Sequence, residues 1–344
     1  GWPVAIFTMT ERDQLKGDAA RAAEKWNGAI GRLEDCDPAR FDLIVDALFG
    51  AGLSRPLEGE AARLAEACNM RRKQGGVTVS ADAPSGVDGD LARPIGPAIA
   101  ADLTVTFHRL KPVHLLQPGR PQCGEVVLVD IGIPAGWREA ASPCAQINGM
   151  ELWPQAALAP QTGDHKHRRG RLCVLSGPAG ASGAARLSGA AGLAGGAGFV
   201  TLLCPPGALE EVAASSRALV ARGFDPAGDF GDILQDHRAD AAIMGPGAGV
   251  ADATRARVLA GLAARIPLVL DADALTCFSD DPDTLFAAIE GPAVLTPHAG
   301  EFSRLFPDLA DDADRNKIEI TRQAAKRAGA VMVHKGPDTV IASP

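Results

Sequence analysis

Residues 41–56 read FDLIVDALFGAGLSRP. The apolar run Phe41–Leu48 delivers into a turn built on Gly50 and Gly52, the pattern of a buried strand followed by a loop. Residues 57–70 then read as an amphipathic helix with Leu57, Ala61, Leu64 and Ala65 on one face. Working outward, Val4–Thr8, Val77–Ala81, Leu103–Phe107 and Val126–Ile131 read as further strands, and 11–27 as a polar helix. Such alternation predicts an α/β fold, with a mostly parallel sheet flanked by helices.

The pattern breaks over 132–168, where Pro134, Pro143, Pro154 and Pro160 lead into the polar run TGDHKHRRG at 162–170. We expect a domain boundary near residue 145, giving units 1–145 and 146–344. The second unit restarts with strands at Arg171–Ser176 and 198–204 around a Gly/Ala-rich helix at 182–197. Strands Ala241–Met244, Leu268–Leu270, Ala293–Leu295 and Ala330–His334 follow, with helices at 252–265, 282–290 and 315–328. The last strand is expected to run on into 335–341.

Composition sets limits. A chain of 344 residues, 46% hydrophobic and 22% charged, is that of a soluble globular protein of about two domains. The net charge of -8 argues against a nucleic-acid partner. Residues 187–209 carry no charge, but their six Gly and two Pro mark a buried helix and strand rather than a membrane span. The seven cysteines (Cys36, Cys68, Cys123, Cys144, Cys173, Cys204 and Cys277) are scattered, with no CxxC or zinc spacing. Reduced thiols and a cytoplasmic location are expected.

In open α/β sheets, ligands bind at the carboxyl ends of strands, and every candidate motif here lies at such an end. Asp46 reads either as a cation or ribose ligand or as an acid tying down the next loop. Gly50–Pro56 reads as a phosphate cradle or an ordinary tight turn. Asp82 leads into Pro84-Ser85-Gly86, where a strand-end acid, a rigid Pro and a hydroxyl coincide. Lys111 reads as a solvated lysine or a weaker site candidate.

In the second unit, SGPAGASG (176–183) spaces Gly177, Gly180 and Gly183 by three, matching neither the dinucleotide fingerprint nor a P-loop. GPGAG (245–249) lets backbone approach a ligand. Asp271 and Asp273 in LDADAL (270–275) suit Mg²⁺ or a nucleotide hydroxyl, or equally a helix cap and loop anchor. His298 in TPHAGE (296–301) is structural or catalytic, and HKGPDT (334–339) offers Lys335, Gly336 and Thr339 to a phosphate.

In this order, VDALFGAGLSRP (45–56), DAPSGVD (82–88), GPGAG, LDADAL, TPHAGE and HKGPDT resemble the two halves of the bifunctional NAD(P)H-hydrate repair enzymes. These join an NAD(P)HX epimerase to an ADP- or ATP-dependent dehydratase. The resemblance implies a Rossmann-like three-layer epimerase domain over 1–145 and a ribokinase-like α/β dehydratase domain over 146–344. It implies K⁺ coordinated with the help of Asp46 and Ser85. Gly50, Ala51, Gly52, Leu53, Ser54, Arg55, Pro56 and Asp82 would hold the hydrated nucleotide, with Asp82 as acid–base catalyst. Ala184, Gly247, Gly249 and His298 would lie near the substrate of the second half. Lys335, Gly336, Pro337, Asp338 and Thr339 would bind the nucleotide, with Mg²⁺ accompanying ADP or ATP.

The expected partners are NADHX, NADPHX and ADP or ATP, with no nucleic acid and no membrane, in a homo-oligomer. The family also carries an Asn-Asn-Gly-Gly-Asp-Gly run upstream and a Gly-Thr/Ser-Gly-Asp run after the last motif. Neither is present here, and SGP replaces a more usual Gly-Gly-Ser. A unit incomplete at each end, with impaired turnover, is the expectation. The alternatives are a ribokinase-like kinase of a small molecule such as a vitamin precursor, which would not need the first half, and an inactive nucleotide-binding module.

Overall fold

The computed structural model describes residues 3–134, 136, 145–153, 163, 166, 168–215 and 218–344. They belong to two compact units, Gly1–Pro143 and Cys144–Pro344. Pro143, Cys144, Pro154, Pro160 and, in the polar run, Thr162, Asp164, His165 and His167 lie outside the described residues.

The first unit opens with β1 (Ile6–Thr8), α1 (Gly17–Glu24) and β2 (Ile30–Arg32), the two strands forming a separate parallel pair. Then come β3 (Leu43–Asp46), α2 (Gly59–Lys73), β4 (Val77–Ala81), a two-stranded ribbon of β5 (Val87–Asp88) and β6 (Arg93–Pro94), β7 (Leu103–Phe107) and β8 (Glu125–Val129). A parallel four-stranded sheet runs β3-β4-β7-β8, registered Asp46 to Ser80, Val79 to Leu103 and Val105 to Val127. Alternation along these Val- and Thr-rich strands gives each residue one face.

One face is covered. Ala61, Leu64, Ala65 and Cys68 of α2 pack with Leu53, Leu57 and Ile99, and with Ile44 of the sheet. Leu57 shares that core from the turn before α2, not from within the helix. Thr78, Ser80, Thr104 and Thr106 are buried on the same face. On the opposite face Leu43 and Val45 are 51% and 63% exposed, and Val77, Val127 and Val129 are also exposed. Parallel sheets are ordinarily covered on both sides.

The second unit comprises β9 (Arg171–Leu175), α3 (Gly183–Ala194), β10 (Phe199–Cys204), α4 (Leu209–Ser215), β11 (Val220–Gly223), α5 (Phe230–Asp236) and β12 (Ala241–Met244). It continues through α6 (Asp252–Ala263), β13 (Leu268–Leu270), α7 (Asp273–Thr276), α8 (Pro282–Ala288), β14 (Ala293–Leu295), α9 (Ala299–Leu305), α10 (Pro307–Ala310) and α11 (Lys317–Ala328) to β15 (Val331–His334) and β16 (Val340–Ala342). The sheet order is β11-β10-β9-β12-β13-β14-β15-β16, parallel except for β16. Leu175, Met244, Leu270, Leu295 and Met332 form a buried row across five adjacent strands.

The expected continuous strand through 335–341 is corrected. The chain turns at Lys335–Thr339 and returns as β16, antiparallel to β15 with His334 opposite Val340. Gly336-Pro337-Asp338 is the turn chemistry responsible. α11 starts two residues later than expected because Asn316 caps it, accepting from the Glu319 N–H at 3.1 Å. Gly329, at φ +63°, ends it.

Candidate active sites at the strand ends

Asp82 sits just past β4 in a left-handed backbone conformation, φ +69°. Its Oδ1 accepts from the Lys111 ammonium and from the Thr106 hydroxyl at 3.0 Å, while Oδ2 accepts the Ala51 N–H at 3.2 Å. Lys111 also donates to Thr106 Oγ1 at 2.9 Å and to the Phe107 carbonyl at 3.2 Å. The glycine at position 50 matters, since a Cβ there would stand 3.2 Å from Asp82 Oδ2. The loop borders a shallow, open cavity of about 270 Å³ lined by Phe49, Gly50, Gly52, Leu53, Ser54 and Arg55. Burial works to raise the Asp82 pKa. Donation from Lys111 and Ala51, the Lys111 charge and the Thr106 hydroxyl outweigh it, so the carboxyl titrates below its ordinary value.

Asp46 ends β3 and is buried. Its Oδ1 accepts from Ser85 Oγ at 2.6 Å and the Leu48 N–H at 3.4 Å, and its Oδ2 from the Ser85 N–H at 2.8 Å and Ser80 Oγ at 3.0 Å. Burial raises its pKa, with the Ser85, Ser80 and Leu48 donors opposing. Of the two readings of Asp46, the visible one is the acid that ties its loop together. The donor set also suits an alkali cation. Ser85 Oγ, the Phe49 carbonyl and Asp46 are all oxygens, and among the described residues no Lys or Arg forms an ion pair with this buried carboxylate. Gly86, φ +97°, is obligatory in this turn, because a Cβ would lie 2.3 Å from the Pro97 carbonyl.

In the second unit, β9, β12, β13, β14 and β15 are consecutive neighbours, so the loops after them share one end of the sheet. These are the five loops carrying SGPAGASG, GPGAG, LDADAL, TPHAGE and HKGPDT. They touch. A Cβ on Gly177 would lie 2.1 Å from the Gly247 carbonyl, Asp273 Oδ2 accepts the Gly249 N–H at 2.8 Å, and the Lys335 N–H donates to the Pro297 carbonyl at 2.8 Å. Lys335 Nζ pairs with Asp271 Oδ1 at 2.6 Å. Asp273 therefore acts as a loop anchor, while Asp271 holds the lysine of the last motif. Ala184 is exposed in the first turn of α3.

His298 is the N-cap of α9. Its Nδ1 accepts the Gly300 N–H at 2.9 Å and the Glu301 N–H at 3.3 Å, and Glu301 Oε2 accepts the His298 N–H in return. The ring stays 56% exposed, with Nε2 3.4 Å from Glu301 Oε1. The Asp338 carboxylate is buried against Lys317, whose ammonium also reaches the Lys335 carbonyl at 3.4 Å. Lys317 escaped sequence reasoning, as did Thr106, His114 and Glu211. Glu211 accepts from the Ser182 hydroxyl and from the Gly180 N–H at 2.7 Å, bracing the first loop. Each acts across at least 18 residues of chain.

Two α/β units, each presenting loops at the carboxyl ends of parallel strands, define the class of open-sheet α/β proteins that bind ligands at that edge. Residues 172–344 match the NAD(P)H-hydrate dehydratase family and residues 1–113 match the YjeF-related protein N-terminus. The chain belongs to the NAD(P)H-hydrate dehydratase family, in its form with a YjeF-related first half. It is 36% identical, over 99% of its length, to the bifunctional NAD(P)H-hydrate repair enzyme Nnr of Mycobacterium tuberculosis, and spans 65% of that relative. To the enzyme of the same description from Thermofilum pendens it is 32% identical over its whole length, spanning 68% of the relative. Among solved structures it is similar to the ADP/ATP-dependent NAD(P)H-hydrate dehydratase of Bacillus subtilis co-crystallized with ATP and Mg²⁺. The identity is 26%, the coverage 55% of this chain and 66% of that one, and the TM-score 0.47.

Proposed function

We propose that the chain repairs hydrated nicotinamide cofactors. The first unit interconverts the R and S epimers of NADHX and NADPHX, and the second dehydrates the S epimer using ADP or ATP. One observation carries the reading: two sets of strand-end ligand loops stand in one chain whose halves match the two family models. A lone small-molecule kinase would not need the first set.

In the first unit, the Asp82 carboxylate takes the proton of the ring hydroxyl as the neighbouring ring C–N bond breaks to an open aldehyde, and passes that proton to the ring nitrogen. Closure on the other face of the carbonyl, with the proton carried back to oxygen, gives the other epimer. Lys111, on the same carboxylate, keeps it ionised. The Gly50–Pro56 loop and its Arg55 hold the phosphates around the cavity. K⁺, held with Asp46 and Ser85, would supply a fixed positive charge near those phosphates.

In the second unit, transfer of a phosphoryl group to the S hydroxyl makes it a good leaving group. Its departure as phosphate, with loss of the neighbouring ring proton, restores the double bond. Lys335, Gly336, Pro337, Asp338 and Thr339 hold the nucleotide, the first through its ammonium and the rest through the turn. Ala184, Gly247, Gly249 and His298 border the nicotinamide. Mg²⁺ would neutralise phosphate charge beside the Asp271 oxygen not committed to Lys335.

All six described cysteines are free, which supports a reducing, cytoplasmic setting. No helix among the described residues is long and apolar enough to cross a membrane. The test is recovery of dihydronicotinamide absorbance when the full-length protein and ADP or ATP are added to NADHX. Absence of recovery with both nucleotides overturns the proposal.

A further inference from the structure

We infer that His114 is a positioning residue for the Asp82–Lys111 pair, its imidazole bridging a peptide group of each. The inference rests on the reading of the first unit as an epimerase. His114 is buried. Its Nδ1 accepts the Lys111 backbone N–H at 3.0 Å, and its Nε2 lies 2.8 Å from the Asp82 carbonyl oxygen. A backbone N–H can only donate and a carbonyl can only accept, so the ring is neutral, with its proton on Nε2. The 3₁₀ turn Pro112–His114, closed by the His114 N–H on the Lys111 carbonyl at 3.0 Å, carries the ring back to that position.

The bridge matters because Asp82 holds a left-handed conformation that is costly for a non-glycine residue, aspartate less than most, and bonds on both sides of it hold it there. The Asp82 N–H is fixed by the Val105 carbonyl at 2.7 Å, and its carbonyl by His114. On the other side, the His114 ring fixes the backbone from which the Lys111 side chain reaches the Asp82 carboxylate. Burial, and then the charges of Lys111 and Arg120, depress the imidazole pKa against the opposing Asp82, so the neutral form persists. Both ring nitrogens are committed to backbone, so His114 acts through its neighbours and transfers no proton itself.

The test compares the full chain with His114→Gln, which keeps a donor near Nε2, His114→Asn, which keeps an acceptor near Nδ1, and His114→Phe, which keeps only shape. Two quantities are read: the Asp82 carboxyl titration by carbon NMR, and kcat and KM for epimerisation. In the Phe variant the Asp82 titration should move up toward the ordinary carboxylate range. Its kcat should fall roughly 10²-fold, the scale of a misplacement of about 1 Å, with KM little changed. Gln and Asn, each keeping one bond, should fall between Phe and the parent. An Asp82 titration unmoved in the Phe variant overturns the inference. A moved titration with parental kcat leaves the bridge standing and overturns the epimerase role of Asp82 instead. If the Phe variant does not fold, parental kcat in both Gln and Asn variants overturns the inference, and a kcat loss at constant KM supports it.

Discussion

Lys317, the first residue of α11, reaches Asp338 inside the Lys335–Thr339 turn at 2.6 Å, with 15% and 5% of the two side chains exposed. So little water reaches the pair that removing one partner strands the other. Lys317→Met should lower the unfolding free energy by about 3–5 kcal/mol and raise KM for the nucleotide. The double variant Lys317→Met/Asp338→Leu should regain much of the stability, because the uncompensated charge is gone. Urea unfolding of the three proteins checks this; a single variant as stable as the parent would contradict it.

Asp82→Asn should slow R-to-S conversion by roughly 10²–10⁴-fold, the span of a general acid–base group, and leave dehydration of the S epimer untouched. Because its partners hold the carboxyl below its ordinary pKa, epimerisation should persist to lower pH than a free carboxylate allows. Lys111→Met should move that acid limb upward. Stereospecific assays of both epimers across pH decide it.

His334 should make the protein less stable in mild acid. Burial, reinforced by the Lys317 charge and opposed by Asp338, lowers its pKa from 6.5 to about 4. The unfolded chain takes up the proton first as pH falls, so this contribution is intact above 6.5 and is lost between 6.5 and about 4. The slope is about 1.4 kcal/mol per pH unit. His334→Gln should flatten it in urea unfolding measured over that range. An equally steep slope in the variant would place its origin elsewhere.

Replacing K⁺ by Na⁺ should slow epimerisation while the dehydration rate holds, since Asp46 and Ser85 belong to the first unit. Asp46→Asn should abolish the difference between the two salts. Equal rates in both salts for the parent would exclude a K⁺ site there.

Much of this architecture was legible beforehand. Val77–Ala81, Leu103–Phe107, Ala241–Met244, Leu268–Leu270 and Ala293–Leu295 fall where the sequence predicts strands, because apolar runs there stop abruptly at polar, Gly or Pro residues. β2, β11, α4, α5 and α9 were not read; each is short, and its pairing or packing carries more weight than its own propensity. The motif residues were found because they cluster along the chain. Their braces were not. His114 meets Asp82 from 32 residues away, and Glu211 meets Gly180 from 31, leaving no local pattern to follow.

The antiparallel return of β16 gives the last ligand loop a distinct mechanical character. The GPGAG, LDADAL and TPHAGE loops are each fastened to the sheet by one strand and lead onward into α6, α7 and α9. The Lys335–Thr339 turn is clamped at both feet, with His334 and Val340 paired across the ladder. Sliding it would require breaking strand hydrogen bonds on two sides at once. Of the five ligand loops it is therefore the one with sheet ladder on both sides, while the three ahead of it are held by one strand each and by their bonds to one another.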